Sequence, residues 1–173
     1  MEVIVPYTHL RQETVDALKE TGHYYIPVDV SSSDHAYFDL LSSLWEKKES
    51  FILVEHDVVV GPSTLDELEA CSSRWCSVTV DYFWSHQAHG LACAKFTYQM
   101  MLNYPGLMAQ VGSMYDAGHP PKHWCRLDAW ITRTLPVLSH VHYDHLKHIR
   151  DYTGPVTPTH GCESEGRIVP SFL

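Results

Sequence analysis

Hydrophobic positions fall into short, sharply bounded runs separated by amphipathic stretches. Residues 2–8 (EVIVPYT) are rich in β-branched side chains and are interrupted by Pro6. Residues 12–22 (QETVDALKETG) follow with Val15 and Leu18 at helical spacing and Gly22 as a stop. Residues 23–30 (HYYIPVDV) read as a second strand. Asp34 is the expected N-cap of a helix over 35–49, whose apolar face is Tyr37, Phe38, Leu41, Leu44 and Trp45. That helix delivers the chain to a buried strand at 51–55. Thr64 and Glu67 then have capping-box spacing, so a short helix is expected from just after Pro62 to about Cys71. Residues 75–83 (WCSVTVDYF) alternate like a strand.

Strands alternating with helices over 1–83 predict βαβ units, hence an α/β domain with a mostly parallel sheet flanked by helices. The second half is less regular. Residues 89–110 read as a loop entering a helix that ends near Tyr104 and Pro105. Residues 123–138 read as another helix, with Leu127, Trp130, Ile131 and Leu135 on one side. The histidine-rich stretch SHVHYDHLKH follows, and one reading of it is a surface helix with His142, His145 and His148 on one face. The tail 151–173, with its prolines and glycines, is expected to be extended. The chain divides into a domain over 1–150, with halves at about 1–83 and 84–150, and this tail.

One feature breaks the hydrophobic pattern. FILVEHDVVVGP (51–62) carries Glu55, His56 and Asp57 to the end of the most apolar run and then returns to valines. In parallel sheets ligands bind beyond the carboxyl ends of the strands, which is where these residues emerge. Glu55 and Asp57 are alternate residues, so on an extended segment they point to one side and can share a divalent cation. A cation also offsets the cost of burying the charges, which is several kcal/mol each when unpaired. Without one, Asp57 would cap a loop and Glu55 would pair with an arginine. His56 between them faces the other way.

Composition narrows the partners. With 12 Lys+Arg against 21 Asp+Glu the formal charge is −9, so nonspecific affinity for nucleic acid or anionic membrane should be poor. Five cysteines without a C-x-x-C pair suggest reduced thiols. No apolar run approaches the ~20 residues of a membrane span. A cytoplasmic protein is expected, in the host cytoplasm were it phage-encoded, with no membrane partner.

The order of these motifs resembles the GT-A fold glycosyltransferases: a strand–helix–strand nucleotide half, a helix feeding a buried strand, and an acid-x-acid motif at that strand's end. FILVEHDVVVGPSTLDEL resembles the family's metal-binding D-x-D region, with Glu55 in place of the first Asp. More narrowly, VEHDV, HGLACAKF, W-x-x-LDAWI and the late histidines resemble small glycosyltransferase-like proteins of phages and bacteria. The resemblance spans roughly residues 2 to 150.

It implies a Rossmann-like domain that moves a sugar from a nucleotide diphosphate sugar, a UDP-hexose, to an acceptor hydroxyl on a protein, a glycan or modified phage DNA. Tyr7 and Thr8 would meet the nucleoside and Asp34 the ribose. Glu55 and Asp57 would hold Mn²⁺ or Mg²⁺ against the diphosphate, with a late histidine, His142, His145 or His148, as a further ligand. Gly90 would let the backbone approach the donor sugar, Lys95 would reach a phosphate, and Asp128 would be the base of an inverting transfer. Two other readings compete. HVHYDH (140–145) fits H-x-H-x-D-H, a hydrolase metal signature that usually stands early in its chain. The replaced first aspartate leaves room for a nucleotide-sugar or metal-binding module without turnover.

Overall fold

The computed structural model describes residues 1–81, 90–115, 118–135 and 139–149, without the side chains of 81, 139 and 143–145. The tail 151–173 lies outside the described residues. The elements run β1 (Glu2–Tyr7), α1 (Gln12–Glu20), β2 (Tyr25–Asp29), α2 (Ala36–Lys47), β3 (Phe51–Val54), β4 (Val58–Val59), α3 (Thr64–Ala70), β5 (Trp75–Asp81), β6 (Cys93–Phe96), α4 (Tyr98–Asn103), α5 (Leu107–Gly112), α6 (Leu127–Thr134) and β7 (Ser139–His148), with a 3₁₀ turn at Trp124–Arg126 leading into α6.

The strands form one sheet in the order β2-β1-β3-β6-β5-β7-β4. β1 is parallel to β2 and β3, and β5 to β7, while β6 runs antiparallel between β3 and β5 and β4 antiparallel to β7. Strands β2, β1, β3, β5 and β7 therefore point one way. The mostly parallel sheet expected from the βαβ pattern is present.

Alternation along the strands sorts the core onto two faces. Ile4, Phe51, Leu53, Ala94 and Phe96 meet α2, α4, α5 and α6 on one side. Val3, Val5, Ile52, Val54, Cys76, Val78 and Cys93 meet α1 and α3 on the other. Phe96 is central to the first face, stacking on Trp75 at 6.2 Å and meeting the edge of Trp45 at 5.8 Å. Lys48 ends α2 in a left-handed conformation, φ 56°, which turns the chain into β3. Among the described residues no helix is long and apolar enough to cross a membrane.

The second half departs from expectation. β6 lies within a stretch expected to be loop, and the valines at 58–59 form a short strand. The histidine segment is a strand: β7 pairs with β5 along most of its length and with β4 at its end. The helix expected over 123–138 is a 3₁₀ turn followed by α6, and 136–138 lie outside the described residues. Asp34 does not cap α2, which begins after His35 with no side-chain cap. Around α3 the pairing is displaced by one residue: Ser63 donates to Glu67 at 2.6 Å, while the Thr64 hydroxyl accepts from the Gly61 amide. Cys71, Cys76 and Cys93 are free thiols, but Cys125 is disulfide-bonded, which departs from a fully reduced set.

Candidate active site: a carboxylate cluster at the end of β3

The four consecutive buried residues of β3 carry the chain through the core and leave Glu55 at its carboxyl end. The Glu55 amide continues the ladder by donating to the Ala92 carbonyl at 2.9 Å. The chain then turns tightly, with the Val58 amide donating to the Glu55 carbonyl at 3.1 Å, and Asp57 sits at the bend. Its carbonyl accepts from the Ile149 amide at 2.7 Å, just past β7. The β4–β7 pairing therefore brings the end of the histidine strand to the acid-x-acid turn.

Three elements converge on Glu55. From α2, Tyr37 donates its hydroxyl to Glu55 Oε1 at 2.9 Å. From the first turn of α6, Asp128 approaches closely enough to raise the Glu55 pKa, and from the turn itself Asp57 does the same. Burial is the largest cause, and together these hold Glu55 well above the ordinary carboxyl range, opposed by the Tyr37 hydrogen bond. Burial likewise pushes Asp128 up to about 6, against the stabilising hydrogen bond its Oδ1 accepts from the Leu91 amide. Both residues are half-buried.

Asp57 behaves oppositely. Burial pushes it up, but the hydrogen bond and charge of His148, with Nε2 at 3.0 Å from Oδ2, together with His56, bring it below its ordinary value. His56 is depressed by burial, with Arg11, His148 and His9 adding to the effect and Asp57 opposing it. One side of the cluster thus resists negative charge, while on the other Asp57 is held by a hydrogen bond to His148. Hard oxygen donors of this kind suit Mg²⁺ or Mn²⁺, which also accepts an imidazole. The donor types suit such a cation, which Glu55 and Asp57 would hold with His148 beside Asp57, although among the described residues these three do not bring their ligand atoms within 4.8 Å of one another.

Gly90 is required by this geometry. A Cβ there would lie 2.4 Å from Asp128 Oδ1 and 2.8 Å from its Cγ. Gly90→Ala is therefore expected to push the Asp128 carboxyl off the Leu91 amide. A misplacement of about 1 Å at a reacting group costs on the order of 100-fold in rate, and overpacking costs about 1–3 kcal/mol. Steady-state kinetics and the thermal midpoint of the variant check both.

The remaining expected residues divide. Glu55, Asp57, Asp128, Gly90 and His148 are brought together. Tyr7 ends β1, where its carbonyl accepts the Val30 amide at 2.9 Å, and Thr8 beyond it is exposed. Asp34 has an exposed side chain 3.8 Å from His123 Nε2, and its carbonyl accepts the Trp124 amide, which ties the start of α2 to the turn before α6. Lys95 does not fit a phosphate role: it lies on the opposite sheet face from α2 and α6, almost wholly buried, with its ammonium donating to the Cys71 carbonyl.

His142 does not join the cluster either. It sits near Cys71 and Cys76, and six residues of β7, even with its bulge, separate it from His148 by upward of about 10 Å. The His145 side chain lies outside the described residues. Tyr37, the Leu91 amide and the His9–Arg11 approach to His56 were missed. Only Tyr37 left a trace in sequence, a hydroxyl at the rim of an otherwise apolar helix face.

No family model matches the chain, and no curated protein matches it in sequence. Solved structures do. A glycosyltransferase involved in the glycosylation of the major capsid of PBCV-1 superposes with a TM-score of 0.52 at 11% identity, covering 89% of this chain and 94% of its own. A197 from STIV gives a TM-score of 0.51 at 8% identity, covering 90% and 97%. The fold is glycosyltransferase-like. At these identities the likeness extends to the fold and no further. The mixed sheet, with β6 reversed between β3 and β5, is the frame on which the carboxylate cluster is built.

Proposed function

We propose that the protein is a metal-dependent glycosyltransferase that moves a sugar from a nucleotide diphosphate sugar, a UDP-hexose, to an acceptor hydroxyl. The observation that carries this reading is the convergence of Glu55, Asp57 and Asp128 at the carboxyl end of β3, on a glycosyltransferase-like fold. When bound at Glu55 and Asp57, Mn²⁺ or Mg²⁺ would stabilise the charge of the departing diphosphate.

The chain's own residues account for the rest. Asp128, with its carboxyl near 6, is ionised at neutral pH yet basic enough to take the acceptor proton. The Leu91 amide fixes which of its oxygens is occupied, leaving the other for the acceptor. Tyr37 holds Glu55 in place. A base facing the acceptor makes displacement in line, so the sugar is transferred with inversion. Tyr7 and Thr8, at the end of the neighbouring strand β1, supply the nucleoside end, with Asp34 further along the same rim. The acceptor is a hydroxyl on a macromolecule. The net charge of −9 favours a protein or glycan over modified DNA.

The hydrolase reading draws on H-x-H-x-D-H, but β7 places His142 of that motif beside Cys71 and Cys76, while the side chains of Asp144 and His145 lie outside the described residues. Thermal unfolding of metal-stripped protein tests the transferase reading. UDP with Mn²⁺ together should raise stability by about 2.7 kcal/mol at 100 times the dissociation constant, and UDP alone should add little. Stabilisation by metal with no further effect of UDP would refute a nucleotide site. Stabilisation by both without transfer to any acceptor or to water would leave a binding module.

A further inference from the structure

On the other face of the sheet lies a group of side chains that the carboxylate chemistry does not use. Cys71 follows α3, Cys76 is the second residue of β5, and His142 is on β7. The two thiol sulfurs and one imidazole nitrogen all lie within 4.8 Å of one another. The register places them there: His140 is level with Cys76 and His142 with Val78, while Cys76 and Val78 both face the core shared with α1 and α3. Lys95, level with Cys76 on the adjacent strand β6, reaches the same spot. Its ammonium donates to the Cys71 carbonyl and lies within hydrogen-bonding reach of the Cys76 thiol.

We propose that Cys71, Cys76 and His142 form a second metal site, specific for a thiophilic cation of the Zn²⁺ class and separate from the carboxylate cluster. Two thiolates and an imidazole are soft donors that select zinc over Mg²⁺ or Mn²⁺, the reverse of the preference at Glu55 and Asp57. Tetrahedral zinc, with bonds of about 2.0–2.3 Å, holds such ligands about 3.3–3.8 Å apart, so a contraction of about 1 Å closes the site.

Lys95 fits the same arrangement. A buried ammonium is costly without negative charge beside it, and Cys71 and Cys76 as thiolates supply it. In return, the ammonium donates toward sulfur, as outer partners of a metal site do. Three chain ligands leave the fourth position to a water. The ion ties Cys71 at the end of α3 and Cys76 of strand β5 to His142 of strand β7, which lies more than 60 residues further along the chain. Loading takes one cation and releases the thiol protons to solvent.

Cobalt(II) is the probe, because thiolate ligation gives it a ligand-to-metal charge-transfer absorption that carboxylate ligation does not. Reduced, metal-stripped full-length protein titrated with Co²⁺ should develop that band together with tetrahedral d–d bands, and Zn²⁺ should abolish both stoichiometrically. Outer-shell changes alone weaken metal sites about 10–100-fold, so Cys71→Ser and His142→Gln should each weaken binding by more than about 100-fold. Asp57→Asn should leave the band intact. Failure of the wild-type protein to give the band overturns the proposal, as does an undiminished band in Cys71→Ser. Should either variant not fold, alkylation of the wild-type protein, read at Cys71 by mass spectrometry, decides. Zn²⁺ should slow the reaction there, and an unchanged rate overturns the site.

Discussion

Replacing Asp128 with Asn is expected to lower sugar transfer by about 10²–10⁴-fold, the usual contribution of a positioned general base, while leaving the affinity for donor nearly unchanged. The substitution is close to isosteric, and an amide oxygen still accepts the Leu91 N–H, so the contact that orients the side chain survives. What disappears is the basic lone pair. Separate measurement of the donor dissociation constant and the turnover number distinguishes this from a binding defect. Equal losses in both would make Asp128 a donor contact, and unchanged turnover would remove it from the mechanism.

The same variant carries a pH signature. Asp128 is raised from 3.8 to about 6 on folding, so between those values the native state holds more protons than the unfolded chain. Stability from this group therefore falls as pH rises from about 4 to about 6. Glu55, also raised, adds to the trend over the range above its ordinary 4.5. Asp57 is lowered, so its contribution is lost only as pH falls below 3.8. Histidines depressed by burial, His56 and His123, act in the contrary direction below 6.5 and overlap the window. The difference between the wild-type protein and Asp128→Asn reports Asp128 together with the part of the Glu55 shift that its charge causes: the metal-free variant should gain stability relative to the wild type as pH rises from about 4 to about 6, seen in denaturant midpoints.

Asp57→Asn should have the second large effect. A lost metal ligand is expected to weaken Mn²⁺ by more than about 100-fold, since outer-shell partners alone account for 10–100-fold. Transfer should fall with it, and UDP should lose its metal-dependent stabilisation. The fold should persist. Asparagine can still accept a hydrogen bond from His148, and the Asp57 carbonyl that accepts the Ile149 amide belongs to the backbone. Calorimetric titration with Mn²⁺ checks the first effect and circular dichroism the last. A variant that binds Mn²⁺ normally would overturn the assignment of the turn.

Much of this site was legible in sequence, for a physical reason. Charged residues at the end of a four-residue apolar strand violate local patterning, and such violations concentrate where chemistry compensates them. Asp128 and Gly90 were reached through motif order, although neither periodicity nor spacing could show that one fills the space the other leaves open. The sequence neighbours of Lys95 lie near the mouth and suggest a phosphate contact, whereas alternation along β6 turns its side chain to the other face. β6 itself was missed because CAKF is four residues long with a charge among them, and that charge is tolerated only through a tertiary contact to Cys71. The late histidines at 142, 145 and 148 have spacing that suits a helix. β7 is instead set by pairing with β5 and β4, which are non-local and leave no trace in a local window. Tyr37 was hidden by reading its helix face as core alone.

The hydrogen bond from the Leu91 amide to Asp128 spans 37 residues and joins the entry to β6 to the first turn of α6. α6 cannot undock from the sheet without breaking it. Partial opening of the second half, the kind of sub-global excursion native proteins make continually, therefore removes the base and the orientation of the cluster in one event. On the proposed function the protein has no loosened form that remains active: any population that exposes the Leu91 amide to exchange with solvent is expected to be one that does not turn over.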